Sequence, residues 1–154
     1  MTFSLEKRMK LAVGSDERTP LTDSVVEELK GRGHVVELYG PLAGNPIPWP
    51  DVAEQVARQV AGGESEQGVL FCWTGTGVSI AANKVPGVRA ALCTDAETAR
   101  GARRWNDANV LCIGLRLTSE VVAQEILEAW FSAQPDEAEA RNIRRVSEIE
   151  QRDA

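Results

Sequence analysis

The chain has 154 residues, 43% apolar and 26% charged, enough to bury one sizeable core without disulfides or metals. A formal net charge of −6 argues against nucleic acid as a general partner, and no apolar run reaches membrane-spanning length. Three cysteines with no C-x-x-C spacing point to a reducing cytoplasm, and a lone histidine, His34, excludes a histidine-built metal site.

Residues 1–8 read as an extension too polar for a signal-peptide core, and 9–150 as one domain without repeats or low-complexity tracts. Met9 to Gly14 is an apolar strand ending in a Gly-Ser-Asp loop. Thr19 caps a helix that starts at Pro20, buries Leu21, Val25, Val26 and Leu29, and stops at Gly31 or Gly33. His34 to Tyr39 is a second strand. Pro50 opens a helix with Val52, Val56 and Val60 on one face, ended by Gly62-Gly63. Gly68 to Cys72 is the third strand, followed by a glycine loop and a small-residue helix. Val88 to Cys93 and Val110 to Gly114 are the fourth and fifth strands. Asp95 is the expected N-cap of a helix through Arg104, and Thr118 that of a helix through Ser132. A charged helix follows Pro135 towards the C-terminus.

This alternation predicts an α/β fold: a three-layer, Rossmann-like, doubly wound parallel sheet of five strands, in a single domain with a C-terminal helix. Such sheets bind ligands at the carboxyl ends of their strands, which puts Asp16, Cys72, Thr74 and the loop after Cys93 on one edge. Two nucleotide motifs fail. Gly75-Thr76-Gly77 lacks the third glycine of a dinucleotide fingerprint, and Lys84 lacks the flanking glycine and hydroxyl of a P-loop. No cofactor is expected. What remains is a thiol at a strand end, a hydroxyl, and backbone N–H groups converging at a helix start. A thiolate whose pKa is lowered there is a nucleophile or a base, and the N–H groups hold a developing oxyanion or a small anionic ligand. Cys72 is therefore the candidate nucleophile or base; Cys93 and Cys112 read as small buried strand residues.

The stretch CWTGTGVSIAANK, residues 72–84, resembles the CGTGxGxSIAANK signature of the type B ribose-5-phosphate isomerases and their galactose-6-phosphate isomerase relatives. Leu11 to Asp16 resembles the first strand and loop of that family, Val85 to Arg116 its central block, and Arg141 to Arg145 its basic C-terminal motif. The resemblance implies an aldose–ketose isomerase acting on a small, ribose 5-phosphate-like phosphorylated sugar through an enediolate, with Cys72 as base. Cys72, Thr74 and Asp16 would be catalytic. Cys72 matches the base of one branch, whereas Val78, where the other branch has a glutamate, cannot titrate. The resemblance places Gly75, Gly77, Val78, Ser79, Asn106, Glu17 and Trp105 at the sugar, the backbone of 75–79 forming an anion hole worth about 3 kcal/mol per donor. Arg116, Arg141 and Arg145 would clamp the phosphate, while Arg144 reads as a solvated helix residue. It also implies a homodimer with a shared site, the segment around Asn106 crossing the interface, with a tetramer left open.

The departures are specific. Glu17, Trp105 and Asn142 stand where the family carries histidine, and Thr94 replaces another. Tryptophan cannot carry the proton that opens a sugar ring, and Trp73 in place of glycine adds bulk beside the base. Three readings follow: an isomerase of a substrate that needs little ring opening, such as a tetrose phosphate; an isomerase of a modified sugar selected by Trp73 and Trp105; or a non-catalytic sugar-phosphate-binding subunit. Joint retention of Cys72, Thr74, Asp16, Asn106 and the arginines disfavours the third.

Overall fold

Five apolar runs form strands β1 (Lys10–Ser15), β2 (Val35–Tyr39), β3 (Gln67–Cys72), β4 (Ala90–Leu92) and β5 (Val110–Gly114). They pair in parallel in the order β2-β1-β3-β5-β4 in a computed structural model that describes residues 6–152. Residues 1–5 of the expected N-terminal extension lie outside the described residues.

The two-residue period of a strand sorts the central strands between two cores. Leu11, Val13, Val69, Phe71, Leu111 and Ile113 face α1 (Pro20–Gly31), α4 (Ala96–Asn106) and α5 (Glu120–Ser132). Ala12, Leu70, Cys72, Val110 and Cys112 face α2 (Trp49–Ala61) and α3 (Thr76–Ala82). Strands buried on both faces read as continuous apolar runs, which is why β1, β3 and β5 were plain in the sequence. A last helix, α6 (Ala140–Arg152), buries no residue and rests on α4 and the 3-10 turn before it.

Local chemistry accounts for most boundaries. The Thr19 hydroxyl accepts from the Thr22 N–H, and the Thr22 hydroxyl accepts from the Thr19 N–H, a reciprocal cap that starts α1 at Pro20. Asp95 caps α4 by accepting from the Thr98 N–H at 2.8 Å. The expected cap of α5 needs correction: Ser119, not Thr118, accepts from the Val122 N–H at 3.1 Å. Strand β4 is also shorter than the expected 88–93. Val88 closes a turn onto Val85, and Asn83 bonds both the N–H and the C=O of Ala90, so the ladder begins only there.

His34 is structural. Its Nδ1 accepts from the Met9 N–H at 3.1 Å, so Nε2 carries the proton and donates to Glu6 at 2.6 Å. Arg32 adds a second bond to Glu6 at 2.7 Å, and the Phe131 ring lies 4.7 Å from the imidazole. Residues 6–9 are thereby tied to the body.

Removing an N-cap hydroxyl costs about 1 kcal/mol. Ser119→Ala should lower the unfolding free energy measured in urea by that amount, whereas Thr118→Ala should stay within about 0.5 kcal/mol of wild type. The opposite order would return the cap to Thr118.

Candidate active site

The chain leaves β1 and β3 in opposite directions: α1 runs down one face of the sheet and α3 down the other. Strands whose connections part in this way leave a crevice outside their carboxyl ends. Ser15 pairs with Phe71, so Asp16 leaves the end of β1 next to the strand end that carries Cys72. On its other side Cys72 pairs with Gly114.

The loop after Cys72 is pinned on β5. The Leu115 N–H donates to the Cys72 carbonyl and the Arg116 N–H to that of Trp73, both at 2.9 Å, extending the ladder past the last strand residue. Gly75 has φ +77°, and a Cβ there would lie 2.9 Å from the Gly114 nitrogen. A Cβ on Gly114 would in turn lie 2.7 Å from the Thr74 oxygen. Only two glycines in contact let the loop lie this flat. Helix α3 then starts directly beyond the thiol, its N-cap Gly75 contributing no side chain, so the N–H groups of its first turn remain open. The Ser79 N–H is spent on the Gly75 carbonyl at 3.3 Å, so the open N–H groups of this turn are those of residues 75–78. Val78 is fully buried, so only its backbone can face a ligand.

The other candidates on this edge are equally defined. The Thr74 and Thr76 hydroxyls pair at 2.7 Å. Asp16 is half-buried; loss of hydration and then the neighbouring Glu17 charge raise its carboxyl above the usual aspartate range. The wholly buried Ser15 fixes that turn, its hydroxyl donating to the Glu17 carbonyl at 2.6 Å and accepting from the Glu17 N–H at 3.2 Å. Burial pushes the Cys93 thiol up to about 12, with Asp95 adding to it, and raises that of Cys112 as well, so neither is a thiolate at neutral pH. Arg116 lies with Trp73, Thr74 and Thr94 around a small cavity.

Three side chains beside these candidates escaped the sequence reading. Ser15 and Thr76 act through hydrogen bonds within their own loops, and the hydroxyl at each position was the available signal. Trp49 was hidden by falling at the edge of a proline-rich loop. Its six-membered ring sits on Gly77, where a Cβ would come within 3.1 Å of Cε3 and Cζ3, and the side chain is 42% exposed beside the first turn of α3.

Trp105, Asn106, Arg141 and Arg145 are elsewhere. Asn106 ends α4, and three residues on, Asn109 bonds to Gly68 and Arg89, at the starts of β3 and β4. Arg89 and Arg103 both grip Asp107, fixing that corner. Helix α6 shares the same end: its Glu150 accepts from the Gly87 N–H at 2.9 Å. Arg141 and Arg145 are exposed on α6. Helix α4, 11 residues and thus about 16 Å long, separates this group from the carboxyl edge that holds Cys72. One copy of the chain does not bring the two halves together.

The Ribose/Galactose Isomerase family model matches residues 11–149. The chain is 39% identical over 145 residues to the ribose-5-phosphate isomerase B of Escherichia coli, covering 93% of this chain and 97% of that one. It is 38% identical over 129 residues to the D-erythrulose-4-phosphate isomerase of Pectobacterium atrosepticum, covering 82% and 84%. The solved ribose-5-phosphate isomerase B of Clostridium thermocellum superposes with a TM-score of 0.88 at 37% identity, covering 95% of this chain and all of that one. The fold, the glycine loop and these matches agree: the chain belongs to the ribose/galactose isomerase family.

Proposed function

We propose that this sugar-phosphate isomerase interconverts a short-chain aldose phosphate and its ketose by proton transfer, with Cys72 as base and a site completed by a second copy of the chain. The observation that carries this is the placement of the Cys72 thiol between the Asp16 turn and the uncapped first turn of α3. The Cys72 thiolate takes the proton from the carbon next to the carbonyl, and the electron pair moves onto the carbonyl oxygen, giving an enediolate. N–H groups of residues 75–78 hold that oxygen; each such donor contributes about 3 kcal/mol in comparable sites. The Thr74 hydroxyl, already paired with Thr76, moves the hydroxyl proton between the two oxygens. The thiol returns its proton to the adjacent carbon. Asp16 and Glu17 orient the substrate hydroxyls.

Arg116 reaches the phosphate from its own edge, while Arg141 and Arg145 reach it from the partner copy together with Asn106 and Trp105. The length of α4 between the two groups, about 16 Å, supports a homodimer of this kind, because a two-fold axis can bring each far edge against the other copy's crevice. Three free, buried cysteines fit action in a reducing cytoplasm.

The four-carbon reading of the substrate is favoured over a pentose phosphate. Trp105 carries no proton with which to open a furanose ring, and a tetrose 4-phosphate cannot form one, its terminal oxygen being esterified. One relative of comparable identity is a D-erythrulose-4-phosphate isomerase.

Three outcomes test this. Cys72→Ala should lose at least about 10²-fold in turnover with its melting temperature nearly unchanged, the scale of a lost acid–base group; wild-type turnover would make the thiol structural. Mixing Cys72→Ala with Asn106→Ala subunits under exchange should restore about a quarter of wild-type activity, since half the dimers are mixed and each of those holds one intact site. No restoration would place both residues in the same protomer's site. Finally, Trp105→His should raise kcat/KM for ribose 5-phosphate by about 10-fold or more while changing that for erythrose 4-phosphate far less. A wild-type enzyme already faster on ribose 5-phosphate would reverse the four-carbon reading.

A further inference from the structure

Helix α4 contains a glycine that its backbone does not need. Gly101 lies in the helix interior, buried, without the positive φ that would demand glycine. Apart from proline, glycine is the poorest residue for such a position. The space around it supplies the reason. The three atoms nearest a Cβ built at residue 101 all belong to the Trp105 ring: Cζ3 at 2.7 Å, Cε3 at 2.8 Å and Cη2 at 3.5 Å. Residues four apart share a helix face, and a long side chain lies back over the preceding turn. The six-membered ring of the indole therefore rests against the bare backbone at Gly101, and Trp105 remains 53% exposed. Any side chain at 101 lifts the ring off the helix.

We propose that Gly101 is a positioning residue for substrate recognition: it seats the Trp105 indole against α4 so that the free face of the ring stacks on the carbon chain of the sugar phosphate held in the partner's crevice. This rests on the shared-site reading above and extends it to what selects the substrate. An indole face packs against C–H groups and excludes water, while offering no partner to a hydroxyl. It suits the thin, open chain of a four-carbon sugar phosphate and leaves the extra hydroxyl of a longer chain without a hydrogen-bond partner. Held close to the helix by Gly101, the ring is a wall of fixed height; pushed outward by a side chain there, it intrudes on the chain it should cover.

The test separates positioning from packing because the two predict opposite signs. Gly101→Ala should leave the melting temperature of the dimer unchanged or raised, since alanine is the better helix former. It should raise KM for D-erythrulose 4-phosphate about five- to tenfold, the scale of one aromatic contact, with a smaller change in kcat. Trp105→Ala should raise KM similarly, and the double variant should be no worse than Trp105→Ala alone, because Gly101 acts through the indole. Additive effects of the two substitutions, or an unchanged KM in Gly101→Ala beside an active wild type, would overturn the inference while leaving the isomerase reading intact. A wild type that turns over neither tetrose nor pentose phosphates would overturn the reading beneath it.

Discussion

The contact between the loop after β3 and the end of β5 is the constraint on which the site depends. Two extra ladder bonds, from Leu115 to Cys72 and from Arg116 to Trp73, hold the loop against the neighbouring strand. The Gly75–Gly114 contact lets it lie there. Without that approach α3 could not begin directly after the thiol, and its first-turn N–H groups would point away from the crevice. Trp49 closes the same turn from outside by resting on Gly77. A side chain at any of these three glycines would have to move backbone or an indole, so the loop's composition follows from its geometry.

A second constraint comes from topology. A parallel sheet sends its strand ends to one edge and its helix ends to the other, so residues at the end of α4 and on α6 cannot fold back to the crevice of their own chain. The protein nonetheless fixes that far corner firmly: two arginines hold Asp107, and Arg103 also lies over the buried Trp130 ring at 5.6 Å. So rigid a presentation of Trp105 and Asn106, away from the thiol, has a purpose if another copy receives them. The shared site and the seat at Gly101 are thus parts of one account.

Much of this was legible in the sequence because the signals were local. The apolar runs of β1, β3 and β5, the caps Thr19 and Asp95, and the glycine loop each depend on neighbours within a few residues. Where two hydroxyls stood side by side, as at Thr118 and Ser119, spacing alone did not choose between them. The start of β4 depended on Asn83 reaching Ala90, a contact that arises only once α3 is placed. Trp49 and Ser15 were missed for the same reason, since their roles exist only against Gly77 and the Glu17 turn. The resemblance of residues 72–84 and 85–116 to a known family led to the chemistry; the split of the candidate residues between two sheet edges needed the fold.

The central claim is proton transfer by this chain on a phosphorylated sugar. It is tested most directly by incubating the wild-type protein with D-erythrose 4-phosphate in deuterated water and following the carbon-bound hydrogens by NMR. The account predicts conversion to the ketose with solvent deuterium incorporated at the carbon that receives the proton. A sample that neither isomerises nor exchanges, on this substrate or on ribose 5-phosphate, would contradict it.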